Sequence, residues 1–265
     1  MQGLNNLFPH PQPIIGVVHL LPLIGSPGYT SSLDKICARA LSDSETLVTN
    51  GIDGLIIENY GDIPFLPNRV GAHTVASMAI IAHQIRQRFA KTPIGLNVLR
   101  NDAESGLAIA TVVSANFIRV NVHTGVMLTD QGLIQGHAHE TLRYRSQLNS
   151  DVRILADIAV KHASPLAVMD LATTAEDTYH RGLADALIVT GVGTGKSTQL
   201  DQLECVKAVV PHAFLFAGSG VTADTISATL EVADGVIVGT ALKRDAVASN
   251  EVSAEHVRAV VSARG

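Results

Sequence analysis

Short apolar runs rich in Val, Ile, Leu and Ala recur eight times along this 265-residue chain. They are Ile14 to His19, Gly54 to Glu58, Ile94 to Val98, Phe117 to Asn121, Ile154 to Ile158, Ala186 to Thr190, Phe214 to Ala217 and Gly235 to Gly239. Runs of this length and composition predict strands. Between most of them the apolar positions change to a helical period. Leu33, Ile36, Cys37, Ala40, Leu41, Leu47 and Val48 nearly fill one helix face, and Val75, Met78, Ala82, Ile85 and Phe89 do the same before the third strand. Asn101 with Glu104 three residues on predicts a capping box, and Ser197 and Thr222 are candidate N-caps of two late helices. Strands alternating with helices imply parallel pairing through crossovers, and eight such units close into a (β/α)₈ barrel. In the rival fold, an open doubly wound sheet, a dinucleotide fingerprint should follow the first strand; here Gly16-Val17-Val18-His19 lacks G-x-G-x-x-G. The reading is one domain over residues 1–265, with 1–13 as an N-terminal extension and 244–265 as a C-terminal helix.

Composition fits one large core. The chain is 46% hydrophobic and 16% charged, and with 4% aromatics and no Trp the interior falls to aliphatic side chains. A net charge of −5 without a basic run argues against nucleic acid as a partner. No apolar stretch reaches the ~18 residues of a membrane span, and MQGLNNLFPHPQP does not read as a targeting peptide, so a cytoplasmic protein is expected. Cys37 and Cys205 lie in helical patterns, where thiols serve as small hydrophobes.

In a filled barrel, polar residues at strand ends point to the mouth. By this rule His19, Glu58, Asn59, Asn97, Arg119, Asn121, Asp157 and Thr190 are candidate site residues, with Lys161 and His162 following the fifth strand. Glu58 and Asp157 are the acid/base candidates, because a carboxylate in a half-apolar pocket can be tuned toward working pH. Lys161 offers a Schiff base or, in better accord with its place beyond the strand, a charge for an oxyanion; His162 would assist it. His19, Glu58 and Asp157 could also hold a divalent metal ion, although no tight ligand spacing marks such a site. Two connections at strand C-termini, Leu20 to Ser32 and Val122 to Gln135, exceed what a helix entry needs and are candidate lids.

Phe214 to Lys243 narrows the ligand. Its turns Gly218-Ser219-Gly220 and Gly239-Thr240 end the seventh and eighth strands, and an eleven-residue helical stretch lies between them. Backbone N–H groups at this place in a barrel cradle a phosphate dianion. Gly191 to Ser197, GVGTGKS, misses a Walker A loop by one residue, since Thr190 stands where its first Gly belongs. It reads as the loop after the sixth strand, with Lys196 available to an anion.

The chain resembles the BtpA/SgcQ family in IIGVVHLLPLIGSPGY (Ile14 to Tyr29), NGIDGLIIENYGDIPF (Asn50 to Phe65), IRVNVHTGVMLTDQG (Ile118 to Gly132), ILADIAVKHASPLA (Ile154 to Ala167) and ADALIVTGVGTGKST (Ala184 to Thr198). The resemblance implies the same barrel but no agreed reaction. Its cyanobacterial members are named for a role in photosystem I biogenesis, and another bacterial member is similar to products encoded beside sugar phosphotransferase components.

The expected function is therefore an enzyme on a small phosphorylated metabolite, a sugar phosphate, by isomerase, lyase or glycosidic hydrolase chemistry. The alternative is a non-enzymatic assembly factor for a membrane complex such as photosystem I, with the barrel as a ligand sensor. A homo-oligomer is expected in either case, since barrels of this size often assemble through outer helices.

Overall fold

The computed structural model describes residues 4–159, 163–166, 170–190 and 196–265. In chain order the strands are β1 (Ile14–His19), β2 (Gly54–Glu58), β3 (Ile94–Asn97), β4 (Phe117–Val120), β5 (Val126–Thr129), β6 (Gly132–Gln135), β7 (Arg153–Ala159), β8 (Ala163–Pro165), β9 (Ala186–Val189), β10 (Phe214–Ala217) and β11 (Gly235–Val238). The α-helices are α1 (Leu33–Thr49), α2 (Ala72–Arg88), α3 (Ala103–Val112), α4 (Ala138–Gln147), α5 (Leu171–Glu176), α6 (Lys196–Val209), α7 (Ile226–Leu230) and α8 (Ala254–Ser262). Eight strands close in the order β1-β11-β10-β9-β7-β4-β3-β2, each pair parallel. The fold is a (β/α)₈ barrel. The other three strands form a small antiparallel sheet, β6-β5-β8.

Alternation along each strand divides the core in two. Outward residues such as Ile14, Val18, Leu55 and Ile57 pack with the helix faces, whereas Ile15, Val17, Ile56, Leu155, Ile188 and Ile237 fill the lumen. Leu4 and Phe8 belong to the lumen cluster, so the segment before β1 plugs the barrel. The Phe8 ring meets Phe117 and Phe216 edge-on, with centroids 5.9 and 6.2 Å away. Gly95 makes that packing possible, since a Cβ there would lie 2.1 Å from the Phe117 ring.

Helix ends depart from the sequence reading. Asp102, not Asn101, caps α3 by accepting from Ser105 N at 3.0 Å, while Glu104 pairs with Arg69 on the surface. Asn101 instead ties two loops together through Val122, whose N–H it accepts and whose carbonyl it bonds. The expected eleven-residue helix after Gly220 shrinks to the five residues of α7, behind Thr225 rather than Thr222. Thr225 Oγ1 accepts the Thr222 N–H at 2.9 Å, closing a turn where the helix was expected to start.

A buried ion pair anchors the segment after β11. Lys243, fully buried, donates from Nζ to Asp43 Oδ2 at 3.0 Å, and Asp43 also accepts from Arg39 Nε at 3.1 Å and Val252 N at 2.9 Å. Burial pushes the Lys243 pKa down, and the Asp43 carboxylate opposes that. Breaking a buried pair costs about 3–5 kcal/mol when the remaining charge has no other partner. Asp43 keeps two donors, so Lys243→Met should lower stability by about 3 kcal/mol, the low end of that range, as read from urea unfolding.

Candidate active site

The period that fills the lumen with aliphatic groups also delivers polar ones to its C-terminal end. Two residues beyond the lumen positions Val17, Ile56, Gly95, Leu155 and Ile188 come His19, Glu58, Asn97, Asp157 and Thr190, and Phe117 is followed by Arg119 and then Asn121. A cavity of about 830 Å³ opens there. His19, Glu58, Arg119, Asn121, Thr190, Gly218, Ser219, Gly220, Gly239 and Thr240 line it. All five residues of the two glycine turns thus share one cavity with most of the strand-end residues.

Two hydrogen-bonded clusters organise the floor. In the first, Asn97 Nδ2 donates to Glu58 Oε2 at 2.6 Å, and Glu58 Oε1 stands 3.7 Å from His19 Nε2. His19 Nδ1 lies 3.1 Å from the Ala248 carbonyl. A carbonyl only accepts, so Nδ1 carries the proton and the neutral ring turns an Nε2 lone pair toward Glu58. Burial lowers the His19 pKa and Lys243 adds to this, while Glu58 pulls the other way. The ring stacks on Tyr60, with centroids 4.5 Å apart. It also packs against the Gly239 turn, since a Cβ on Gly239 would lie 3.3 Å from Nε2.

In the second cluster Arg119 grips Asp157 with two bonds, Nε to Oδ2 at 2.9 Å and Nη2 to Oδ1 at 3.0 Å. Thr190 Oγ1 donates to Oδ1 at 2.5 Å and Asn121 Nδ2 to Oδ2 at 3.1 Å. Burial opposes the Arg119 charge, but Asp157 outweighs it and the guanidinium is held above its ordinary range. Gly218 fits against this cluster because it lacks a side chain. A Cβ there would sit 2.7 Å from Thr190 Oγ1 and 3.6 Å from Arg119 Nη2. Gly220 takes φ +71°, the left-handed region that glycine enters without strain.

Not every predicted residue reaches the cavity wall. Asn97 and Asp157 stand behind Glu58 and Arg119, as their partners. Asn59 follows Glu58 directly, so strand parity turns it away; it accepts from Leu99 N at 2.7 Å and donates to Asp62 at 3.0 Å. Lys161 and His162 lie outside the described residues, as do Gly191 to Gly195; of GVGTGKS only Lys196 and Ser197 remain, opening α6. Among the described residues no group of three or more His, Cys, Asp or Glu is placed to hold a metal ion, so His19, Glu58 and Asp157 do not form one.

Other wall residues were not anticipated. Arg100, three residues beyond β3, lines the cavity, and the strand-end rule that selected Asn97 would have found it. Burial lowers its pKa, countered by Asp157, Asp130 and Glu58. The long connection Val122 to Gln135 is a β-hairpin whose turn, Asp130 and Gln131, reaches the cavity. Leu20 to Ser32 does not line it. Leu23 N donates to Asp62 Oδ1 at 2.7 Å, so that segment braces the loop after β2, whose Ile63, Pro64 and Phe65 add apolar surface to the wall.

The neutral state of His19 gives a pH signature. Its folded pKa is depressed, so the unfolded chain binds the proton first as pH falls, and stability drops from about pH 6.5 downward. His123, buried and donating from Nε2 to the Gly182 carbonyl, is lowered by burial in the same way. His19→Gln should therefore remove part of the acid-side loss in Tm, leaving the share that belongs to His123. An unchanged slope would mean that folding does not depress the His19 pKa.

Residues 10–264 match the BtpA family. The chain belongs to that family. It is 47% identical over 251 residues to the photosystem I biogenesis protein BtpA of Synechocystis, covering 95% of this chain and 87% of that protein. It is 30% identical over 261 residues to the putative sgc region protein SgcQ of Escherichia coli, covering 97% and 96% of the two chains. Among solved structures, N-(5'-phosphoribosyl)anthranilate isomerase from Pyrococcus furiosus superposes with a TM-score of 0.57 at 11% identity, over 96% of this chain and 98% of that one. At that identity the likeness is one of fold. The BtpA family motifs hold the site together: NGIDGLIIENYGDIPF supplies Glu58, Tyr60 and the apolar Ile63, Pro64 and Phe65, and IRVNVHTGVMLTDQG supplies Arg119, Asn121 and the hairpin turn.

Proposed function

We propose that this BtpA-family protein is an enzyme acting on a small phosphorylated metabolite, a sugar phosphate, by general acid/base catalysis. The observation that carries the reading is the His19–Glu58 pair set across 3.7 Å beside the Gly239 turn in one cavity. Each atom carries a lone pair, and a substrate group resting against the pair from the cavity side can give its proton to either. For an isomerase, His19 Nε2 or Glu58 Oε1 takes the proton and returns it at another atom of the same ligand; for a lyase it passes it to the leaving group, and for a glycosidic hydrolase it takes it from a water while the leaving oxygen is protonated. The phosphate dianion rests on the backbone of Gly218 to Gly220 and of Gly239 and Thr240. Arg119 and Arg100 add positive charge beside the reacting end, and Asp157 serves as the positioning carboxylate of Arg119. A related fold carrying phosphoribosyl chemistry in the Pyrococcus isomerase is consistent with this use of the barrel.

The test is a thermal-shift screen of phosphorylated sugars against their unphosphorylated counterparts, followed by turnover assays of every compound that stabilises the protein. The reading requires stabilisation that depends on the phosphate group. A screen in which sugars stabilise equally with and without phosphate rejects it.

A second reading, a docking factor such as the cyanobacterial relative's name describes, has one observation in its favour. Leu128 and Leu133 pair across the hairpin and turn outward, 52% and 56% exposed, with Leu166 beside them at 61%. Their neighbours Met127 and Ile134 pack inward. No described helix is long and apolar enough to cross a membrane. In the docking reading Glu58→Gln has no effect.

A further inference from the structure

The cradle would fix one end of the ligand; Asn121 bears on the other. It is buried, 5% exposed, and lies on the cavity wall. Its amide orientation is not open to exchange, because Nδ2 donates to Asp157 Oδ2 at 3.1 Å and a carboxylate paired with Arg119 has no proton to give back. Oδ1 is therefore the atom left over. It accepts no hydrogen bond from any described residue, although it is fully buried. A buried acceptor without a donor is unfavourable, and a group that supplies the donor gains correspondingly.

The surroundings select what kind of donor fits. Arg119 binds the same carboxylate as Asn121, and Arg100 is close enough for its charge to be felt by both Arg119 and Asp157. Arg119 is neutralised by Asp157, and Arg100 is offset by Asp130 and Glu58, so no unbalanced charge calls for an ammonium. A hydroxyl carries no charge and donates one proton, which is what Oδ1 lacks.

We propose that Asn121 is a specificity-determining residue that accepts a hydrogen bond from a hydroxyl of the bound phosphate ester, so that the cavity takes polyhydroxylated phosphates over their deoxy counterparts. This rests on the phosphate reading of the glycine turns. Substrate enters with its phosphate on the cradle and its hydroxylated carbons toward Asn121 and Glu58, which puts a substrate C–H or O–H near the His19–Glu58 pair.

Calorimetric titration of the full chain tests it with inorganic phosphate, ribose 5-phosphate, glucose 6-phosphate and their 2-deoxy forms as probes, supplemented by hydroxylated esters from the screen. At least one hydroxylated ester should bind the native protein about tenfold or more tighter than inorganic phosphate. In Asn121→Leu that advantage should shrink by about ten- to a hundredfold, while inorganic phosphate binds as before. Asn121→Ala, which withdraws the acceptor without the bulk of leucine, should behave in the same way and guards against misfolding of the leucine variant. Full retention of the advantage in both variants, or no ester exceeding inorganic phosphate, overturns the assignment of Asn121. If inorganic phosphate itself fails to bind and no ester needs its phosphate, the cradle reading fails first and the proposal with it.

Discussion

Arg119→Met lowers the stability of the folded chain by about 3–5 kcal/mol, because it strands a carboxylate in the barrel. The Asp157 side chain has no exposed surface, and among the described residues the guanidinium gives it its only two charge-assisted bonds, at 2.9 and 3.0 Å. Thr190 and Asn121 remain as neutral donors and cannot balance the charge. Methionine keeps most of the volume, so the loss reports the charge and not a cavity. The double variant Arg119→Met/Asp157→Asn should recover a large part of the loss, since the stranded charge is then gone. Urea unfolding of the two single variants and the double measures this. A loss below about 1 kcal/mol in Arg119→Met would mean that Asp157 is supported by something other than its arginine.

Under the proposed acid/base reading, Glu58→Gln should lower turnover by about 10²–10⁴-fold, the usual share of a general acid/base group, while ligand affinity changes little. The substitution keeps the shape of the side chain, and its amide oxygen still accepts from Asn97, which now lies 2.6 Å from Oε2. What is lost is a group that takes up a proton beside His19 Nε2. His19 alone cannot replace it, because Nδ1 is committed to Ala248 and only one nitrogen faces the cavity. The measurement is product formation, by phosphorus or proton NMR, on whichever phosphorylated compound the screen identifies. Undiminished turnover in Glu58→Gln excludes the acid/base role, and loss of both binding and turnover points to a structural one.

Much of this was readable from the chain because barrel strands state their own geometry. All eight apolar runs are strands, with ends that shift by one residue at most, since a buried parallel strand tolerates only apolar residues until it reaches the mouth. Parity then decides which polar residues enter the lumen. The strand-end rule that found Glu58 also admitted Asn59, one residue on and turned the other way, because it counted distance along the chain and not alternation. The Lys243–Asp43 pair was visible only as a gap. The stripe Ile36, Cys37, Ala40 and Leu47 breaks where Asp43 and Ser44 lie buried, and a carboxylate at such a position demands a partner that sequence spacing cannot name 200 residues away. The hairpin was seen as a long connection but not as strands, because the apolar run Val126 to Leu128 is only three residues long; its order depends on β6 and β8.

The division of labour between Glu58 and Asp157 also lay beyond the sequence. Both are acidic residues at strand ends. One has an oxygen facing the cavity beside His19, and the other is surrounded by Arg119, Thr190 and Asn121, a difference made by which neighbours sit across the barrel.

The central claim is that an anion binds on the two glycine turns at the end of β10 and β11. A titration of the isotope-labelled protein with inorganic phosphate, followed in the amide proton–nitrogen correlation spectrum, tests it directly. The account predicts saturable shifts concentrated in the amides of Gly218, Ser219, Gly220, Gly239 and Thr240. Phosphate binding that leaves these five amides unmoved, or shifts a different set, contradicts it.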